Sequence, residues 1–567
     1  MKYYTKILTF VIVFSLIISM GVAGCQKTEK KTNPTAPHST LSDTKGKISD
    51  SGETDLLNSV GTFPIAKTKT KLSLLMAQDV LVEDYETNAF TKWVEDRCNV
   101  DLDFELLPAM DAKDKLAIMI SSNQTLPDVV NIPLDIITTY KYGSGGAFIP
   151  LNDFYENQSF NIKQQLEEYP DIDIIRFTKA ADGKLYSIPQ YIKELHSEVR
   201  QKLWINTKWL DKVGAKMPTT TDEFYKALKA FKENDPNNNG KADEYPLVGG
   251  TGDSQDPSIF LMNSFVYDDA DNRFLVKDGK LSVAYTTDAW REGLRYMNKL
   301  CTEKLLDPIS FTQDNSQLRA MANNPDNCIV GSFAFTSITL LPVATSPYIN
   351  DFEGLLPLEG PAGVRFASYS PAAVLNRWFV TRDCKNPELA FRVGDSMFNE
   401  EAFIKARYGV ENQDWSAPKQ GDISYYDEFG YKPMFVQDKN IWSSSQNSHW
   451  RNNIPAFTVD VLQGGVWKDR DPLYYSRRIA LTVGKYHEFK PEPGTFVPIL
   501  NLNEDEINKV SEIQATLKAY VNECKTRFII GDMNIDKDWD SYLVEIKRIG
   551  LDRFLEVCQA AYERIYK

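Results

Sequence analysis

The chain has 567 residues, too many for one ordinary hydrophobic core, so two or three domains are expected. Its composition is that of a globular protein, 42% apolar and 25% charged, and a net charge of −14 excludes the basic excess that a nucleic-acid binder needs. Four histidines are too few for a histidine-rich metal centre.

The first predicted element is a secretory signal over residues 1–24. Two lysines in Met1–Lys6 precede the apolar run ILTFVIVFSLIISMGVAG and then Cys25. The run is close to the lower length limit of a membrane helix. However, Val22-Ala23-Gly24-Cys25 resembles the lipobox of bacterial lipoproteins, in which cleavage leaves Cys25 as the lipidated first residue. Residues 25–66 are rich in Lys, Thr, Ser, Asp and Pro and are expected to form a disordered tether, because they bury too little apolar surface to offset chain entropy. The other six cysteines are scattered, without CxxC or Cys/His spacing, and read as free buried thiols.

From Thr70 the chain alternates. TKLSLLMAQ reads as a strand, ETNAFTKWVEDRC as a helix, VDLDFELLP as a strand, AKDKLAIMISSNQ as a helix and PDVVNIP as a short buried strand. This is the rhythm of a parallel sheet covered by helices. GSGGAFIPLND lacks both GxGxxG and Walker spacing, so it is not a phosphate cradle. A second block starts with EVRQKLWIN as a strand and TKWLDKVG as a short helix. In PTTTDEFYKALKAFKEN, Thr220 and Glu223 form a capping box, and Phe224, Leu228 and Phe231 share one helical face. RFLVKDGKLSVAYT is a hairpin turning at Asp278-Gly279, and TTDAWREGLRYMNKLCTEKLL is an amphipathic helix. NRWFVTRDCKNPELAFRVGDSMF reads as strand, turn and helix. In the tail, Ile507, Val510, Ile513, Leu517 and Val521 recur at helical spacing, as do Leu551, Phe554, Leu555, Cys558, Ala561 and Ile565. The expected architecture is α/β with two lobes. The first lobe takes residues 67–190 and 355–400. The second takes 191–354 and 401–567, including the C-terminal helices. A cleft between lobes is a preferred place to enclose a ligand.

DPNNNGKADE, Asp235 to Glu244, begins like an EF-hand loop, yet position 12 is Pro246. Positions 1, 3, 5, 7 and 9 are Asp235, Asn237, Asn239, Lys241 and Asp243. Lys241 offers its carbonyl, Gly240 occupies the sharp bend at position 6, and Glu244 at position 10 is placed to replace the missing glutamate. A solvated Asn/Gly turn is the plain alternative. Oxygen-bearing side chains in this register, with mutually repelling carboxylates, favour a structural calcium ion.

GAFIPLND, DGKLYSIP, the stretch from Trp204 to Leu247, NKLCTEKLLDP, NPELAF, RYGVENQDW and LDRFLEVCQAAYERIYK, together with the lipobox, resemble the extracellular solute-binding lipoproteins of bacterial ABC importers, family 1, and more narrowly their oligosaccharide-binding group. The resemblance implies a periplasmic-binding-protein-like fold, two α/β lobes joined by hinge crossings. It implies Ca2+ held by Asp235, Asn237, Asn239, the Lys241 carbonyl, Asp243 and Glu244. It also implies an oligosaccharide ligand, an ABC permease as partner, a monomer, and anchorage outside the cytoplasmic membrane through Cys25.

A sugar site needs aromatic platforms and planar polar groups. Trp204, Trp209 and Trp290 lie in predicted elements and are expected in the core. Arg377 and Trp378 in NRWFV stand near an expected crossing, and Trp442 and Trp450 flank the polar SSSQNSH. Asp79 follows the first strand, where ligands of open α/β sheets lie, and Tyr191 sits at the first expected hinge. A glycosidase is the enzyme alternative, since two opposed carboxylates would suffice, but no hydrolase motif supports it. A sugar-sensing surface lipoprotein shares the anchor and the cleft.

Overall fold

The structure, a computed structural model, describes residues 56–566 except 253, 343–344, 440–444, 452, 467–474, 498–499 and 501. The signal sequence, Cys25 and most of the expected tether lie outside the described residues. The strands in chain order are β1 (Thr70–Gln78), β2 (Val100–Pro108), β3 (Val129–Leu134), β4 (Ile188–Ile192), β5 (Leu203–Asn206), β6 (Phe274–Lys277), β7 (Lys280–Val283), β8 (Ser332–Ala334), β9 (Phe352–Leu355), β10 (Val374–Val380), β11 (Trp415–Ser416), β12 (Phe435–Gln437), β13 (Ala456–Thr458) and β14 (Gly465–Val466).

The first lobe is built on a six-stranded sheet in the order β13-β4-β10-β3-β1-β2. β1 runs parallel to β2 from Thr70↔Val100 to Gln78↔Pro108, and parallel to β3. β13 is parallel to β4, and only β10 runs the other way, between β3 and β4. The interior of such a sheet is buried on both faces, which explains its near-continuous apolar strands. Leu74, Met76, Val129, Trp378 and Val380 enter one core, whereas Leu75, Val130, Ile132 and Phe379 enter the other. The helices Ala89–Cys98 and Pro387–Ser396 cover one face of this sheet, and Ala112–Ser121 packs on its opposite face.

The second lobe carries the antiparallel sheet β8-β5-β9 and the hairpin β6-β7. The hairpin turns where expected, with Asp278 at φ 53° and Gly279 at φ 72°. The Thr220–Glu223 capping box closes on both sides, and the helix Thr221–Glu233 buries Phe224, Leu228 and Phe231 as its spacing predicts. The tail helices Glu504–Ile530 and Leu551–Tyr566 add Val510, Leu517, Val521, Phe554 and Cys558 to this core. The cysteines among the described residues are free, and all but Cys384 are buried.

Three expected boundaries move. Leu57 bridges Ala66, and Ile65 and Ala66 are buried, so the folded body starts before residue 66. Leu355, Leu358 and Ala367 pack in the second core, not the first. Phe403, Trp415, Phe435, Trp450 and Phe457 pack in the first core, not the second. The physical reason for the last shift is strand pairing: β13 completes the sheet by joining β4 through Ala456↔Gln190 and Phe457↔Tyr191. Apart from an excursion between β11 and β12 that reaches the second lobe and returns, the described chain passes between the lobes three times: from β4 to β5, from Ala367 to β10, and from β13 to the helix Tyr475–Tyr486.

Candidate ligand site

All three crossings leave or enter the first lobe at the edge where the parallel strands end. Val374, the start of β10, lies opposite Tyr191 near the end of β4. Beside the first and third crossings lies a cavity of about 780 Å³. From the first lobe it is lined by Tyr408 and by Gln437, Asp438 and Lys439 at the end of β12. From the second-lobe side come Thr339, Tyr475, Ile479 and Ala480. Tyr425 and Tyr426 complete the wall, with Gln463 from the third crossing and Glu194 and His196 from the first. A smaller cavity of about 540 Å³ lies against the first and second crossings and shares Glu194 and Arg407 with the larger one.

The larger cavity combines flat aromatic groups with amide and carboxylate groups. Its charges are largely committed to the protein. Lys439 pairs with Asp414 at 2.7 Å, and Glu194 accepts the Ser197 hydroxyl at 2.5 Å. Burial holds His196 well below its usual pKa, with the Lys202 and Arg200 charges adding to the effect, so its ring is neutral at pH 7. Ring faces and neutral hydrogen-bonding groups suit a polyhydroxylated, weakly charged ligand.

The first crossing also carries a pH-sensitive contact. His487 Nε2 lies 3.0 Å from the Leu195 carbonyl, and Nδ1 lies 3.8 Å from Glu198. Burial pushes His487 down to about 4. The bond to Leu195 opposes this, and Lys490, Lys202 and Lys193 reinforce it. With its folded pKa below the unfolded value of about 6.5, this histidine leaves stability unaffected above that pH and removes it as pH falls toward 4. The expected loss is about 3 kcal/mol at full protonation. Thermal melts of wild type and His487→Gln between pH 7 and 4 check it: the variant should lose less stability over that span, and parallel curves would contradict the assignment.

The expected sugar residues separate into two groups. Trp378 is fully buried beneath the helix Pro387–Ser396 and donates its indole N–H to Ala390 O at 2.9 Å. Trp450 is also fully buried, packed against Tyr85, Phe90 and Phe104, with its N–H on Thr91 Oγ1 at 2.8 Å. Neither ring has a free face, so neither stacks on a ligand. Trp204, Trp209 and Trp290 are core residues as expected, and Trp442 lies outside the described residues. Asp79 stands at the carboxyl edge, where Oδ1 accepts the Leu81 N–H and faces Arg451 at 3.1 Å. Arg377 fills a bulge in β10 and donates to Asn131 and Asn453, and burial lowers its pKa to about 10. Tyr191 stacks on Phe457, with ring centroids 5.4 Å apart. None of these three lines the larger cavity. The lining tyrosines carried no sequence signal, being four among 27.

The Asp235–Glu244 loop is closed by hydrogen bonds among its own polar groups. Asp235 accepts the N–H groups of Asn239 and Gly240 at 3.1 and 2.9 Å. Asn239 Oδ1 accepts the Lys241 N–H at 2.8 Å. The side-chain amides of Asn237 and Asn239 donate to Asp243 at 3.0–3.1 Å. Glu244 Oε1 is buried without a hydrogen-bond partner, and burial followed by the Asp235 and Asp243 charges raises its pKa. Among the described residues no group of three or more His, Cys, Asp or Glu is gathered for a metal ion. The donor set nevertheless fits a hard cation, because a turn of each amide would exchange its N–H for its oxygen, and the orphaned Glu244 oxygen lacks only a partner.

Two α/β lobes, joined by three crossings that flank a polar, aromatic cavity, define a ligand-clasping protein. A family profile of bacterial extracellular solute-binding proteins matches residues 83–402, and the chain belongs to this family. It is 25% identical over 515 residues to the fructooligosaccharide ABC transporter substrate-binding protein FusA of Streptococcus pneumoniae, spanning 89% of this chain and 92% of that protein. The structure of FusA in complex with kestose superposes with a TM-score of 0.67 at 23% identity, covering 87% of this chain and 99% of that one. An EF-hand mutant of FusA in complex with fructo-nystose gives 0.66 at 24% identity, with the same coverage. An extracellular solute-binding protein from Bifidobacterium longum subsp. infantis gives 0.73 at 19% identity, covering 88% and 99%.

Proposed function

We propose that this protein is the substrate-binding lipoprotein of an ABC importer and closes its lobes on an oligosaccharide. The observation that carries the reading is the tyrosine- and amide-lined cavity set between two cores at their crossings. FusA, similar along most of its length, is described as binding fructooligosaccharide for such a transporter. A ligand that touches both lobes binds the closed form better than the open one, so it shifts the equilibrium toward closure. The sugar is then released unaltered to the permease. Lipidation at Cys25 would keep the body at the outer membrane face, within reach of that partner.

A structural calcium ion in the Asp235–Glu244 loop belongs to the same reading. Asp235, Asn237, Asn239, Asp243 and Glu244 would hold it with the Lys241 carbonyl. The ion would neutralise three carboxylates and join the end of helix Thr221–Glu233 to the strand-like segment at Tyr245, which bridges Val330.

Calorimetric titration with kestose, fructo-nystose and neutral gluco- and galacto-oligosaccharides tests the binding reading. At least one should bind, and mass spectrometry should recover it unshortened. Shortened products would instead identify an enzyme. Tyr475→Ala should weaken the best ligand about tenfold, the loss of about 1.4 kcal/mol of stacking and apolar contact, with an unchanged melting temperature. Unchanged affinity would remove Tyr475 from the site.

A further inference from the structure

The segment between β11 and β12 does not stay with the lobe from which it springs. Its base is held in the first lobe. β11 and β12 pair through Trp415↔Gln437 and Ser416↔Val436. Trp415 and Phe435 are buried in the first core, and the Phe435 ring lies 4.3 Å from that of Tyr408. Its tip is held in the second lobe. Tyr426 is a buried member of the second core, and Ile423, Tyr425, Phe429 and Tyr431 pack against that core.

Glycines mark the places where this segment docks. A Cβ at Gly484, inside the helix Tyr475–Tyr486, would overlap the Phe429 ring. A Cβ at Gly465 would overlap the Tyr425 ring, and one at Gly464 the Met434 side chain. Glycine is unfavourable inside a helix, so its presence at 484 is explained by the notch it leaves for the ring. The two attachments differ in kind. Along the third crossing the segment is held by main-chain bonds, Tyr425 N–H to Gly465 O at 2.6 Å and Met434 N–H to Gly464 O at 2.7 Å. At the tip, the N–H groups of Phe429, Gly430 and Tyr431 bond back to Tyr426 and Asp427. The tip therefore meets the helix through side chains: the Phe429 ring, and Glu428 3.7 Å from Arg477.

We propose that residues 417–434 form a strap across the two lobes, keyed by Phe429 into the Gly484 notch, and that unseating this key is the step that opens the larger cavity. The strap walls that cavity with Tyr425 and Tyr426, and the helix it docks on supplies Tyr475, Ile479 and Ala480. Phe429 is thus a positioning residue, which holds the cavity's two sides at a fixed spacing without lining it. Only the use of the cavity rests on the sugar-binding reading, because the docking itself needs no ligand.

The test uses the ligand-free protein. Lys419, exposed and followed by Gln420, offers trypsin a site within the strap, whereas Lys432 precedes Pro433 and resists cleavage. Phe429→Ala removes the key, and Gly484→Leu fills the notch while raising the helix propensity of its own helix. Both should speed cleavage at Lys419 tenfold or more, and small-angle scattering should show a larger radius of gyration than for wild type. Equal effects from opposite sides of the contact exclude simple unravelling of either element. Cleavage at the wild-type rate in both variants would overturn the docking. Faster cleavage with an unchanged radius of gyration would overturn the claim that the strap holds the lobes. Failure of every sugar to bind leaves both measurements standing and sinks only the reading of the cavity.

Discussion

Trp378→Ala lowers the melting temperature of the first lobe by roughly 6–20 °C and leaves ligand affinity in the folded protein unchanged. The ring is fully buried in the middle of the sheet, and Gly394 on the covering helix approaches it so closely that a Cβ there would overlap the indole. Truncating a buried tryptophan to alanine costs about 3–5 kcal/mol, from lost transfer energy and the cavity left behind. At about 2–4 °C per kcal/mol for a domain of this size, that range gives the stated shift. Losing the indole N–H adds little, because Ala390 O lies within a helix and keeps its main-chain partner. Differential scanning calorimetry beside sugar titration below the transition checks both halves. Weaker binding with an unmoved transition would return this ring to the ligand site.

If the proposed loop binds calcium, the ion is expected to raise the melting temperature of the wild-type protein by roughly 5–10 °C at a hundredfold excess over its dissociation constant, and a chelator should reverse the shift. A ligand that binds only the folded state contributes about 2.7 kcal/mol at that excess, and the second lobe has the size for which each kcal/mol moves the midpoint about 2–4 °C. The Asp235→Ala, Asn237→Ala double variant should melt at the same temperature with and without calcium. The effect should weaken in mild acid, because the pKa of Glu244 is raised by burial and by its two acidic neighbours, and a protonated carboxyl is a poor calcium ligand. A wild-type midpoint indifferent to both calcium and chelator would dispose of the metal assignment.

The two predictions come from opposite ends of what a sequence makes legible. The calcium proposal could be made from the sequence because its candidate ligands lie within ten consecutive residues at loop spacing. The capping box at Thr220, the turn at Asp278-Gly279 and the apolar stripes of the tail helices were readable for the same reason: each depends on residues a few positions apart. Trp378 was not. It follows Asn376 and Arg377 in the chain, and only the helix Pro387–Ser396 laid over the sheet removes its ring from solvent.

Among the described residues, the tryptophans singled out from the sequence went to the core. Tryptophan buries the most apolar area of any side chain, so its gain from entering the core is the largest. Tyrosine keeps a polar tip, and here Tyr408, Tyr425, Tyr426 and Tyr475 supply the cavity wall.

Residues near one another in the chain were enough to give the local pieces, the alternating α/β elements, the capping box and the hairpin turn, and the family resemblance implied two lobes. Only the tertiary structure decided which lobe each piece joined and which aromatics faced the cavity. Local elements depend on contacts between residues close in the chain. The pairing of β13 with β4, the burial of Trp378 and the reach of the 417–434 strap depend on residues far apart in the chain that meet only when the molecule is folded.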